Sequence, residues 1–127
     1  MPVERMQPAG LARPTTYSHV VKTGSTVYIA GQVAQDESGT VVGRGDITAQ
    51  VTQVFENLRK ALASVGADFS HLVKIIVYVT DPRYREALTS VRAKYVQNAL
   101  PASTLVVVAG LASPDYLVEI EGVAYLG

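Results

Sequence analysis

In the run Leu117–Val118–Glu119–Ile120–Glu121–Gly122–Val123–Ala124, two carboxylates alternate with apolar residues. A period of two predicts a β-strand, whose side chains point to opposite faces in turn. Val118 and Ile120 then share one face, and Glu119 and Glu121 share the other. An unpaired carboxylate is costly to bury, so the acidic face must meet water, a partner charge or a cleft. Leu72–Val79 has a different pattern. It is β-branched and almost continuously apolar, which predicts a central strand buried on both faces. Ahead of it Val51, Val54, Phe55, Leu58, Leu62 and Val65 recur at steps of three and four, the stripe of an amphipathic helix. Asp46 stands as its N-cap and Gly66 as its stop. Asp81–Pro82 opens a second helix, striped by Tyr84, Leu88, Val91 and Tyr95 and ended by Pro101.

The remaining segments read as strands and turns. His19–Val21 and Thr26–Ala30 flank a Thr23–Gly24–Ser25 turn, Gly39 marks a turn before Val41–Val42, and Leu105–Val108 precedes a turn at Ser113–Pro114–Asp115. Residues 1–16, with Pro2, Pro8, Gly10 and Pro14, form an extended or turn-rich lead-in to a single domain spanning 1–127. The expected fold class is α+β: a mixed β-sheet with two helices packed on one face. The helices leave the second sheet face bare, and self-association is the simplest cover for it.

Composition narrows the function. The chain has 127 residues, enough for one core, and is 48% hydrophobic against 17% charged, a balance that favours buried surface between subunits. Eleven basic residues balance eleven acidic ones, so no electrostatic case exists for nucleic acid or an anionic membrane as partner. The absence of cysteine excludes disulfides, thiolate metal sites and thiol nucleophiles, and two histidines are too few for an ordinary zinc site. No secretory pattern and no membrane-length apolar run is visible, so a cytoplasmic location is expected. Gly39 to Gly45 match neither a phosphate-binding nor a dinucleotide-binding fingerprint.

Several segments occur in an order that resembles the RidA (YjgF, reactive-intermediate deaminase) family. They are Tyr17–Ser18–His19, Val27–Tyr28–Ile29–Ala30–Gly31–Gln32, Gln50–Leu58, Val73–Lys74 with the strand behind it, Val91–Tyr95, Pro101–Ala102–Ser103–Thr104 and Val118–Ala124, together covering most of residues 17 to 124. The resemblance implies a chorismate-mutase-like fold and a homotrimer with three ligand clefts between neighbouring subunits. It also implies a hydrolase that converts enamines and imines such as 2-aminoacrylate to the 2-keto acid and ammonia, without metal or cofactor.

Carried over by position, the resemblance makes Glu119 the catalytic carboxylate that positions or activates water, Tyr17 a pocket residue, and Gly31 part of the cleft backbone. Three positions depart from the family. Ala30 replaces a serine, Arg92 stands where an asparagine is common, and Ser103 takes the place of the arginine that grips the substrate carboxylate. A neutral hydroxyl cannot neutralise a carboxylate, and losing a charge-assisted contact is expected to cost about 1.5–3 kcal/mol of binding. The expectation is therefore a small-molecule cleft formed by Glu119, Tyr17, Ala30, Gly31, Arg92 and Ser103, with a ligand less anionic than an imino acid. Arg92 is either a substitute cation or a solvated or interface arginine, and His19 is a hydrogen-bonded structural residue. A non-catalytic, metabolite-binding or regulatory trimer remains the alternative; ribonuclease or translation-inhibitor activity is disfavoured by the charge balance.

Overall fold

The computed structural model describes residues 2–127. Six strands form one sheet in the order β1-β2-β3-β6-β4-β5. These are β1 (Val3–Met6), β2 (Val20–Thr23), β3 (Thr26–Val33), β4 (Leu72–Val79), β5 (Ala102–Val107) and β6 (Val118–Tyr125). All neighbours are antiparallel except β4 and β5, which run parallel because α2 (Arg85–Val96) carries the crossover between them. Helix α1 (Ile47–Ala63) lies on β3 and β6 and packs against α2. Two helices on one face of a mixed sheet is the architecture expected from the hydrophobic pattern.

Helix α1 and the 3₁₀ turn that leads into α2 each begin at a capping aspartate. The Asp46 carboxylate accepts the Ala49 N–H at 3.0 Å, satisfying a donor that the first turn leaves free. The Asp81 carboxylate accepts the Arg83 N–H at 2.9 Å. Pro82–Tyr84 then makes a 3₁₀ turn before α2 proper. Helix α1 stops at Ala63, and Gly66 follows in a left-handed conformation (φ 73°) that turns the chain toward β4. Helix α2 ends at Val96, ahead of Pro101, where Gln97 and Leu100 adopt positive φ of 45° and 43°.

Val51, Val54, Phe55, Leu58 and Leu62 are fully buried against Ile75, Val77, Val79, Val118, Ile120 and Ala124 on the helix-covered sheet face. Sequence and structure differ in three places. The lead-in contains a strand: β1 pairs antiparallel with β2 at the sheet margin. Its side chains are almost all exposed, so it carries no hydrophobic alternation to read. The Val41–Val42 segment makes only an isolated bridge, Gln35 to Val41. Strand β4 is interior in the sheet but is not buried on both faces in the protomer. Leu72, Ile75, Val77 and Val79 are buried, whereas Val73 is 48% exposed and Ile76 and Tyr78 are partly exposed.

Candidate functional site

Strand β6 has the predicted alternation. Val118, Ile120, Gly122 and Ala124 are buried, while Glu119 and Glu121 lie half-covered on the bare face. Glu119 pairs in register with Val33 of β3 on one side and with Tyr78 of β4 on the other. Between Ile29 and Gln32 the β3–β6 register slips, so Ala30 and Gly31 form an irregularity beside Glu119. Such bulges re-aim side chains next to functional sites. A Cβ at position 31 would sit 2.7 Å from the Glu119 Cδ, inside contact distance. Only glycine lets the carboxylate lie on this backbone.

No ion pair among the described residues engages Glu119. Burial, and then the neighbouring Glu121, push its pKa above the ordinary carboxylate value. Glu121 is held by Tyr78, whose hydroxyl donates to Oε1 at 2.6 Å. Arg44 faces Asp115 at 3.7 Å.

Tyr17 and His19 flank the same irregularity. The Ala30 N–H donates to the His19 carbonyl at 2.9 Å, and the Tyr17 ring, 52% exposed, sits edge-on to the His19 imidazole at 5.9 Å. The buried His19 ring donates from Nε2 to the Ala12 carbonyl (2.5 Å) and accepts at Nδ1 from the Gln32 amide (3.0 Å). Both ring nitrogens are committed, which fits the structural role expected of it.

Ser103 and Arg92 lie elsewhere. Ser103 pairs with Ile75 and therefore faces the helix side of the sheet, on the outermost strand β5. There the Arg92 guanidinium, from α2, donates from Nη1 to the Ser103 Oγ at 2.9 Å. Its Nε is buried with no hydrogen-bond partner, and burial followed by the charge of Arg85 lowers its pKa. Glu119 and Ser103 are two strands and three residues apart in register and on opposite faces, a Cα separation of about 14 Å from strand geometry. One protomer thus gathers Tyr17, Ala30, Gly31 and Glu119 in one place and Arg92 with Ser103 in another.

The sequence profile of the endoribonuclease L-PSP family matches residues 9–126. The chain belongs to this family, that of the YjgF/RidA proteins. Among similar family members, 3-aminoacrylate deaminase RutC of Acinetobacter baylyi is 32% identical over 99% of this chain and 100% of its own. Mouse 2-iminobutanoate/2-iminopropanoate deaminase is 33% identical over 87% of this chain and 82% of its own. Crystalline RidA from an Antarctic Psychrobacter superposes with a TM-score of 0.86 at 34% identity, covering 95% of this chain and 97% of that one. A RidA/YjgF fold is therefore present in full.

Against that fold, the residues that sequence reasoning missed are those acting through others. Gln32 ties His19 to the Ala30 carbonyl, and Tyr78 fixes Glu121. Tyr78 was within reach of the sequence, since its parity in β4 puts it on the less apolar face. Among the described residues there is no cluster of His, Cys, Asp or Glu able to hold a metal ion, and no helix is long and apolar enough to cross a membrane.

Proposed function

We propose that the protein is a cofactor-free imine or enamine deaminase whose clefts form between subunits of a homotrimer, with Arg92 replacing the missing anchor at position 103. The observation that carries this reading is the Arg92–Ser103 hydrogen bond of 2.9 Å. A cation absent from β5 is delivered to the same spot by α2, and Ser103 engages only Nη1 of its guanidinium. Ser103 taken by itself led to the expectation of a less anionic ligand; Arg92 beside it supports an anionic one.

Glu119 of a neighbouring subunit would complete the cleft, with Gly31 and Ala30 lining it and Tyr17 packing on the ligand. Its raised pKa suits a group that takes a proton and returns it. Water held by the carboxylate adds through oxygen to the imine carbon as Glu119 accepts its proton. That proton passes to the former imine nitrogen to give the carbinolamine; Glu119 then takes the hydroxyl proton as the C–N bond breaks and returns it to the departing nitrogen, so that ammonia and the 2-keto acid leave. The names of the deaminase relatives support the chemistry. The family's endoribonuclease label draws no support from a chain whose eleven basic and eleven acidic residues cancel.

The test is ammonia release from freshly generated 2-iminopropanoate and 2-aminoacrylate. Wild type is expected to be active, Glu119→Ala inactive, and Arg92→Ala weakened about ten- to a hundred-fold, mainly in KM. An inert wild type, with activity appearing only in Ser103→Arg, would instead make this a binding protein.

A further inference from the structure

Arg92 does not stand alone on its helix. Arg85, Thr89 and Arg92 fall at positions i, i+4 and i+7 of α2, which places them on one face over about 10 Å of axis. This face borders an open hollow of about 370 Å³, lined also by Ala93, Val96, Gln97 and Leu100. That volume lies in the range of small-molecule sites. Neither Arg85 nor Arg92 takes part in an ion pair among the described residues. Arg83, by contrast, lies outside this cavity and is neutralised by a two-pronged contact with Asp81. Two unneutralised guanidinium groups facing one hollow repel each other, and an anion between them relieves the repulsion.

We infer that the substrate carries two acidic groups, one held by Arg92 beside Ser103 and the second by Arg85. This deepens the deaminase reading and rests on it for the chemistry, although the anion preference can be measured without turnover. A one-acid imine would leave Arg85 unanswered. A two-acid imine, as formed by oxidising an amino dicarboxylic acid, answers both cations. Thr89, between the two arginines on this face, leaves the carbon chain between the acids a short side chain to pass.

Calorimetric titration with 2-oxoglutarate and 2-oxobutanoate, the stable products of a two-acid and a one-acid imine, tests this. Wild type is expected to bind 2-oxoglutarate about ten- to a hundred-fold more tightly, the worth of one charge-assisted contact. Arg85→Ala and Arg85→Glu should bring the ratio close to one. Both alter an exposed side chain and leave the core intact. Arg83→Ala, which removes a nearby charge outside the cavity, should keep the ratio. Equal affinities in wild type, no binding of either acid, or a preference that survives Arg85→Ala would overturn the inference. The deaminase reading fails separately. If the preference holds but neither 2-iminoglutarate nor 2-iminobutanoate yields ammonia, the two-acid site stands and the chemistry does not. If both imines are hydrolysed with equal kcat/KM, the chemistry stands and the two-acid inference falls.

Discussion

At position 31 a single methyl group is enough to test the site. A Cβ there would be 2.7 Å from the Glu119 Cδ, so Gly31→Ala must displace the carboxylate. Ammonia release should collapse while the far-UV circular dichroism stays native. Glu119 itself should trade activity for stability. Its pKa is raised by burial and by Glu121, so the folded state holds the proton more tightly than the unfolded chain. The stability tied to this group is fully present below its ordinary carboxylate pKa and is lost as pH rises through the raised value. Glu119→Gln removes a charge that the fold disfavours. The variant should therefore melt above wild type at pH 8, the gap should close as pH falls toward 4, and ammonia release should be lost throughout. A variant that melts below wild type at pH 8 would show that the carboxylate is stabilised there. Glu119 was legible in the sequence because a charge inside a period-two apolar run has only one face to occupy. The Arg92–Ser103 contact was not, since it joins residues eleven apart and depends on how α2 is rotated over β5.

At the level of elements, the helices were legible because stripe, cap and stop agree. Asp46→Ala removes the acceptor for the Ala49 N–H and should cost about 1 kcal/mol in urea unfolding. Buried polar groups on those helices were not legible. Asn57 is only 2% exposed, and its Nδ2 donates to the carbonyls of both Val33 and Gln35 at 3.0 Å. It fastens α1 to the end of β3, just past Gly31. Asn57→Leu takes the amide donor from the Gln35 carbonyl, while the Val33 carbonyl keeps the Gln35 N–H, and should cost about 1–3 kcal/mol, with a larger loss of ammonia release than Asp46→Ala causes. Periodicity gives an element's type and inner face, but partners at this sequence distance emerge only when the sheet assembles. The same limit hid β1, whose Val3–Met6 pairs with β2 through the backbone and one Glu4–Lys22 ion pair of 3.9 Å.

For the whole molecule, the bare face and the divided site lead to the same requirement. Tyr28, Val73 and Val106 are exposed on the protomer at 50%, 48% and 37%, while Glu119 and the Arg92–Ser103 pair lie on opposite faces of the sheet. On the proposed reading, a protomer alone holds only half of each cleft. If a closed ring of three joins the Glu119 half of one subunit to the Arg92 half of the next, complementation must follow. Glu119→Gln and Arg92→Ala should each be impaired alone. Unfolded together in equal amounts and refolded, they form mixed rings in which some clefts take Glu119 from one variant and Arg92 from the other. With random mixing, about a quarter of the clefts are intact, since each of two independent choices succeeds half the time. Ammonia release should then recover to about a quarter of the wild-type level, in particles sedimenting at three times the 13.6 kDa chain mass. Recovery depends on Glu119 and Arg92 arriving from different chains. A site built within one subunit would give no recovery at any mixing ratio, and a monomeric wild type would remove the ring itself.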